Sequence, residues 1–267
     1  MDRVLIFGTN DAATACGIRL YRAGFNIAII SSANPFDVYH YRNLSSMPAI
    51  GSKEIMGVKF LTFSDFLYNH TDDKTYSIEQ FFEFSSQNRW IPVFIQSDIS
   101  ITLTRLFNYS VFCDAVLINK CRDILPNETT TINCSDDVEF TADFSVFVNG
   151  AYMGLVNYFH DFGSAEHSLA NYHSVYADKE GIFIAEKSPG EKTFKGEKIA
   201  SIADSIINSE IDGFVLGAIR SGIITPKNSE IMRLTETSIT TDIRVLPPNA
   251  FSIAGGVVEA ILYSKTL

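Results

Sequence analysis

Apolar positions in the first half of the chain alternate between two periods. Val4 to Phe7 is an unbroken apolar run, as in a parallel strand buried on both faces. Asp11 to Ala23 carries apolar residues at helical spacing, and Gly24 stops it. "FNIAII" (25–30) reads as a second strand, and "VKFLTF" (58–63), "WIPVFI" (90–95) and "CDAVLIN" (113–119) as further ones. Between them, "SIEQFFEFSS" (77–86) and "SITLTRLF" (100–107) have helical spacing. Strands alternating with helices predict a doubly wound, Rossmann-like α/β domain over residues 1–121.

From residue 122 the chain turns polar and rich in Thr and Asn, "RDILPNETTTINCSDDVEF", and then apolar again, "FSVFVNGAYMGLVNYF". Without helical period, this predicts a small β-rich middle domain over 122–174. The third part holds an internal repeat. Setting 180–202 beneath 211–234 aligns Gly181 with Gly213, Gly190 with Gly222, Lys195 with Lys227, Ile199 with Ile231 and Ile202 with Leu234. Two copies of one hairpin-like unit, each covering the other's apolar face, predict a β-domain over 175–238 like the barrel-sandwich hybrid of biotinyl and lipoyl carriers. The Met-Lys-Met tip of such carriers is absent, so the expected role is structural. Residues 239–267 are expected to return to the N-terminal domain, with a helix starting at Gly255 or Gly256 whose free amides face a ligand.

Charge narrows the partners. Thirty-one acidic residues against 21 basic ones give a formal net charge of −10, which disfavours nucleic acid and anionic membrane surfaces. Apolar runs stop at about eight residues, short of the ~20 that span a bilayer, and the opening has no signal-sequence pattern, so a cytoplasmic location is expected. The four cysteines, Cys16, Cys113, Cys121 and Cys134, have neither zinc-finger spacing nor the density of a disulfide scaffold; they read as core or surface thiols, and no metal site is expected.

The opening turn "GTNDAA" has the outline of a dinucleotide-binding loop with one glycine where three are usual. Gly8 permits the sharp strand-to-helix turn. Asn10 occupies the position whose glycine normally admits a pyrophosphate, and Ile30 is followed by Ser31, Ser32, Ala33 and Asn34 rather than by an acid. NAD and NADP therefore lack their usual anchors. Asp11 either caps the helix or faces a ligand. His160, His167 and His173, with Asp161 and Glu166, are spaced too widely to share a helical face as metal ligands. Asp114 and Lys120 bracket an apolar strand, and Lys120 is placed where open α/β sheets meet their ligands.

Several words occur in the order of a known family. "GTNDAATACGIRLYRAGF" keeps Gly8, Asp11, Ala13, Thr14, Gly17, Ala23, Gly24 and Phe25; "PFDVYHYRN" keeps Pro35 and Val38; "CDAVLINK" keeps Asp114, Ala115 and Lys120. "IDGFVLGAIRSGIIT" carries Asp212, Gly213, Gly217, Arg220 and Gly222, and "FSIAGGVVEAIL" carries Ile253, Gly255, Gly256, Glu259 and Ala260. In these words the chain resembles the accessory protein of the selenium-dependent molybdenum hydroxylase system, called YqeB in some genomes, as a divergent member. The resemblance implies a cytoplasmic protein that assists maturation of, or cofactor insertion into, a molybdenum hydroxylase. A molybdopterin nucleotide or another small phosphate-bearing ligand would sit near Gly8, Asn10, Asp11, Gly255 and Gly256, with Lys120 or Arg220 on a phosphate. No residue acquires a catalytic role from it. The alternative is a non-catalytic binding or scaffold protein that has kept the fold and lost the ligand site.

Overall fold

The computed structural model describes residues 3–31, 36–70, 76–95, 109–115, 129–134, 142–148, 152–158, 172–239 and 242–266. The chain divides into two compact units, one drawn from 1–33, 43–168 and 246–267, the other from 34–42 and 169–245.

The first unit is built on one mixed sheet. Its strands are β1 (Arg3–Phe7), β2 (Asn26–Ser31), β3 (Ser52–Ile55), β4 (Val58–Thr62), β5 (Trp90–Ile95), β6 (Val111–Asp114), β7 (Thr130–Cys134), β8 (Phe144–Val146) and β9 (Val156–Asn157), in the order β3-β4-β5-β2-β1-β6-β7-β8-β9. From β4 to β8 neighbours run parallel, while β3 and β9 close the two edges antiparallel. The strand period of two sorts the side chains onto two faces. Val4, Ile6, Ile27, Ile29 and Cys113 lie in a core shared with α1 (Asp11–Arg22) and the C-terminal helix, whereas Leu5, Phe7, Ala28, Ile30 and Phe112 lie in another with the rings of Phe66, Phe81 and Phe94. Those rings come from α3 (Phe63–Asn69), α4 (Ile78–Asn88) and β5. Phe81, fully buried, touches Phe63, Phe66 and Phe94, and burial of a phenyl group contributes about 1.5–3 kcal/mol. A short helix α2 (Met47–Ile50) precedes β3, and α5 (Pro248–Ser264) packs against α1.

The second unit has β10 (His173–Tyr176), β11 (Gly181–Ala185), β12 (Lys192–Thr193), β13 (Lys198–Ile202), β14 (Ser205–Asn208), β15 (Gly213–Ala218), β16 (Ile224–Thr225) and β17 (Glu230–Thr235). They form two four-stranded antiparallel sheets, β10-β17-β15-β12 and β14-β13-β11-β16. The starting residues of β10 to β13 recur 32 positions later as those of β14 to β17, so the shift converts one sheet's strand order into the other's. Phe183, Ile199 and Ile202 from one sheet meet Val215, Ile231 and Leu234 from the other in a single core. Neither repeat could bury its apolar face alone. Residues 36–42 also belong to this unit: Ala218 N donates to Val38 O at 3.0 Å, and the Tyr41 hydroxyl donates to Leu216 O at 2.7 Å.

These observations correct the expected fold class. The large sheet is mixed, and β7, β8 and β9, expected in a separate middle domain, extend it because each continues the ladder from β6. The repeat makes two separate antiparallel sheets. Among the described residues no ladder joins them into a closed barrel, and the biotinyl or lipoyl-like assignment is dropped. Among the described residues, no helix is long and apolar enough to cross a membrane.

Candidate functional site

The opening turn is committed to structure. Gly8 has φ 126°, a conformation costly for other residues. Asn10 is the N-cap of α1: its Oδ1 accepts from Ala13 N at 2.9 Å, and its Nδ2 donates to Ala115 O, just past β6, at 2.9 Å. Thr9, Asn43, Leu44 and Ser45 are buried together. Leu44 N donates to Thr9 O, Asn43 Nδ2 donates to Asp11 Oδ1 at 3.1 Å, and Lys53 Nζ holds the Asn43 carbonyl oxygen at 2.6 Å. The groups that would approach a pyrophosphate are thus engaged by the chain itself.

The other expected site residues are dispersed. Gly255 and Gly256 lie inside α5, which starts at Pro248, so their amides are not the free donors of a helix start. A Cβ on Gly256 would meet the Gly154 carbonyl oxygen and lie 2.7 Å from Val146 Cγ1, whereas one on Gly255 would meet only Arg19 Nη1, at 3.5 Å. Gly256 is a packing residue. Arg220 follows β15 in the second unit and is exposed. Lys120, His160 and His167 lie outside the described residues, and His173 is exposed on β10.

A different set of residues converges beside the opening turn. Asp114, the last residue of β6, is opposite Phe7 on β1 and opposite Asn133 on β7; Asn133 is opposite Ser145 on β8, and Ser145 is opposite Asn157 on β9. All four polar side chains are buried, Asn157 completely. They share the face opposite α1, because their strand neighbours Cys113, Ile132, Cys134, Phe144, Val146 and Val156 all belong to the α1 core. Two residues earlier on β7, Thr131 is fully matched: its N and Oγ1 both donate to Asp143 Oδ2 at 2.8 Å. Asn133 Oδ1 and Ser145 Oγ, by contrast, are buried with no hydrogen-bond partner. Leaving such an atom unmatched costs about 1–3 kcal/mol, so two in one row require an explanation. Asp114 ends its strand and Asn133 is next to last in β7, at the carboxyl edge where open α/β sheets receive ligands. Sequence reading had marked Asp114 but not its companions, whose only signal is a polar residue within each short apolar strand.

A concavity of 390 Å³ lies elsewhere, at the amino ends of β1, β2 and β5, walled by Phe25, Phe82, Trp90 and Tyr109. It occupies the edge of the sheet opposite to the usual ligand edge.

Comparison with known proteins does not supply a family. No family model matches the chain, and no curated protein matches it. Solved structures similar to it include a succinylglutamate desuccinylase/aspartoacylase family protein from Shewanella amazonensis SB2B, at 11% identity over 88% of this chain and 90% of that one, with a TM-score of 0.27. Another, described as a succinylglutamate desuccinylase/aspartoacylase from Shewanella frigidimarina NCIMB 400, is 13% identical over 88% of each chain, with a TM-score of 0.25. Likeness at that level carries no argument about fold or activity here. The sequence reading is corrected by the other two comparisons: no family model and no curated protein supports the expected molybdenum hydroxylase accessory family. The accessory function, its selenium-dependent client and the scaffold alternative gain no support and are set aside.

Proposed function

We propose that the protein binds a small, polar, hydroxyl- or amide-bearing molecule along the row Asp114, Asn133, Ser145 and Asn157. The observation that carries this reading is the pair of buried, unmatched atoms, Asn133 Oδ1 and Ser145 Oγ. A ligand hydroxyl or N–H would donate to the first and exchange a hydrogen bond with the second, relieving the penalty that the unliganded chain bears. The carboxylate of Asp114 in the same row favours a neutral polyol or amide over a phosphate. A cytoplasmic location accords with the buried free thiols Cys16, Cys113 and Cys134, which a reducing compartment preserves.

The test uses stability and binding together. Asn133→Leu and Ser145→Ala remove the unmatched atoms. Each is expected to raise the stability of the unliganded protein by about 1–3 kcal/mol, and to abolish any thermal stabilisation that the wild type gains from a panel of pentoses, hexoses, inositols and nucleosides. If both variants are less stable than the wild type, the row is ordinary structure and the reading fails. It fails equally if no compound in the panel shifts the wild-type unfolding midpoint.

A further inference from the structure

The strands that present the polar row on one face carry a thiol cluster on the other. Cys113 precedes Asp114 on β6, and Cys134 follows Asn133 on β7, so the period of two turns both sulfurs towards α1. Cys16 comes down from the buried side of α1 to meet them. Cys16 and Cys113 are fully buried and Cys134 is 3% exposed. Cys113 Sγ lies 3.9 Å from Cys134 Sγ, and the three sulfurs lie within 4.8 Å of one another. None is in a disulfide. Their sequence separations hide the cluster, since no two of them form a C-x-x-C pair.

We propose that Cys16, Cys113 and Cys134 supply three thiolate ligands to one thiophilic d¹⁰ divalent cation, of the Zn²⁺ class, whose fourth tetrahedral position a water or another exogenous ligand completes. Zn–S bonds of about 2.3 Å require S···S separations of about 3.8–4.0 Å. The Cys113–Cys134 pair already has that spacing, and the third sulfur needs a shift of less than about 1 Å, within ordinary side-chain adjustment. Thiolates select soft or borderline cations over Mg²⁺ and Ca²⁺, which take oxygen ligands. A divalent ion with three thiolates leaves one net negative charge, whereas a monovalent ion leaves two, and burial penalises the larger charge more. As the three S–metal bonds form, the three thiol protons pass to solvent and no electron is transferred. Burial of all three sulfurs places the entry of the ion during folding.

The full-length chain would be refolded without oxygen in the presence of Zn²⁺ or, as a spectroscopic substitute, Co²⁺, and then freed of loose metal. The expected result is about one ion per chain, with thiolate-to-Co²⁺ charge-transfer absorption and a thermal midpoint that falls on chelation. Cys113→Ser is expected to lose metal at least about tenfold, while Cys121→Ser keeps it. In case a single serine unfolds the protein, the apolar triple variant Cys16→Ala, Cys113→Val, Cys134→Val provides a second test. It is expected to fold, bind no metal and unfold at a temperature indifferent to chelator. The proposal is overturned if the reduced wild type holds no metal above background, if the triple variant retains it, or if two of the three cysteines are found joined as a disulfide in freshly isolated protein. These outcomes are independent of the polar row on the opposite face, whose variants leave all three sulfurs in place.

Discussion

The side-chain amide of Asn10 donates to the carbonyl oxygen of Ala115 at 2.9 Å while its oxygen caps α1. One side chain thus ties the first helix to the end of β6, across 105 residues of chain. In the space that a dinucleotide's pyrophosphate would take there is a cross-link, and the buried residues Asn43, Leu44 and Ser45 lie beside it. Asn10→Ala loses both bonds. A helix cap is worth about 0.5–2 kcal/mol and a neutral hydrogen bond about 0.5–1.5 kcal/mol; the denaturant midpoint should fall accordingly, with an unchanged slope. The wild type should show no saturable NAD or NADP binding by calorimetry at micromolar concentration.

Gly255 and Gly256 separate cleanly in their expected tolerance. Gly255→Ala meets nothing closer than the flexible tip of Arg19 and should stabilise α5 by about 0.5–1 kcal/mol through helix propensity. Gly256→Ala drives a methyl into the Gly154 carbonyl and Val146 and should cost about 1–3 kcal/mol by overpacking. Equal effects of the two substitutions in thermal unfolding would contradict the packing of α5 described here.

In the second unit, Arg233 Nε and Nη2 donate to the two carboxylate oxygens of Glu230 at 2.7 Å each, and Ser174 Oγ donates to Glu230 Oε1 at 2.6 Å. Burial alone would raise the Glu230 carboxyl, but these donors outweigh it and hold the group below its ordinary value. A depressed folded value means that the stabilisation is present above the unfolded pKa, near 4.3 for Glu, and is lost as the pH falls through the folded one. The gap in thermal midpoint between wild type and Glu230→Gln should therefore be full at neutral pH and shrink progressively below about pH 4. A gap that widens on acidification would refute the assignment.

Gly217 on β15 leaves the space in which residues 36–42 settle. A Cβ there would stand 2.7 Å from Val38 O and 3.1 Å from the Tyr39 ring, which lies beneath the Arg233 guanidinium at 5.3 Å. Gly217→Ala should loosen this segment, seen as faster amide exchange at Ala218, whose N–H donates to Val38 O. Protection unchanged from the wild type would show that the segment does not depend on that glycine.

Much of the local structure was legible in the chain. The apolar run at Val4 to Phe7, the helical spacing from Asp11 and the 32-residue displacement of the glycines all correspond to elements present in the structure. Each is a short-range pattern, set by backbone periodicity and by the few residues that start and stop an element. The start of α5 was misread at the glycine pair because Pro248, which begins the helix, lies a full two turns upstream of the words that drew attention.

Spacing also determined which face each residue of β6 and β7 presents, since neighbours on a strand point to opposite sides. It did not determine which strands lie side by side. That depends on register and on cores assembled from distant segments, and only the tertiary structure places Asp114, Asn133, Ser145 and Asn157 in one row and brings Cys16 to Cys113 and Cys134. Burial then supplies the chemistry, because a lone Asn or a scattered Cys acquires a strong demand for a partner only after packing has removed the water around it.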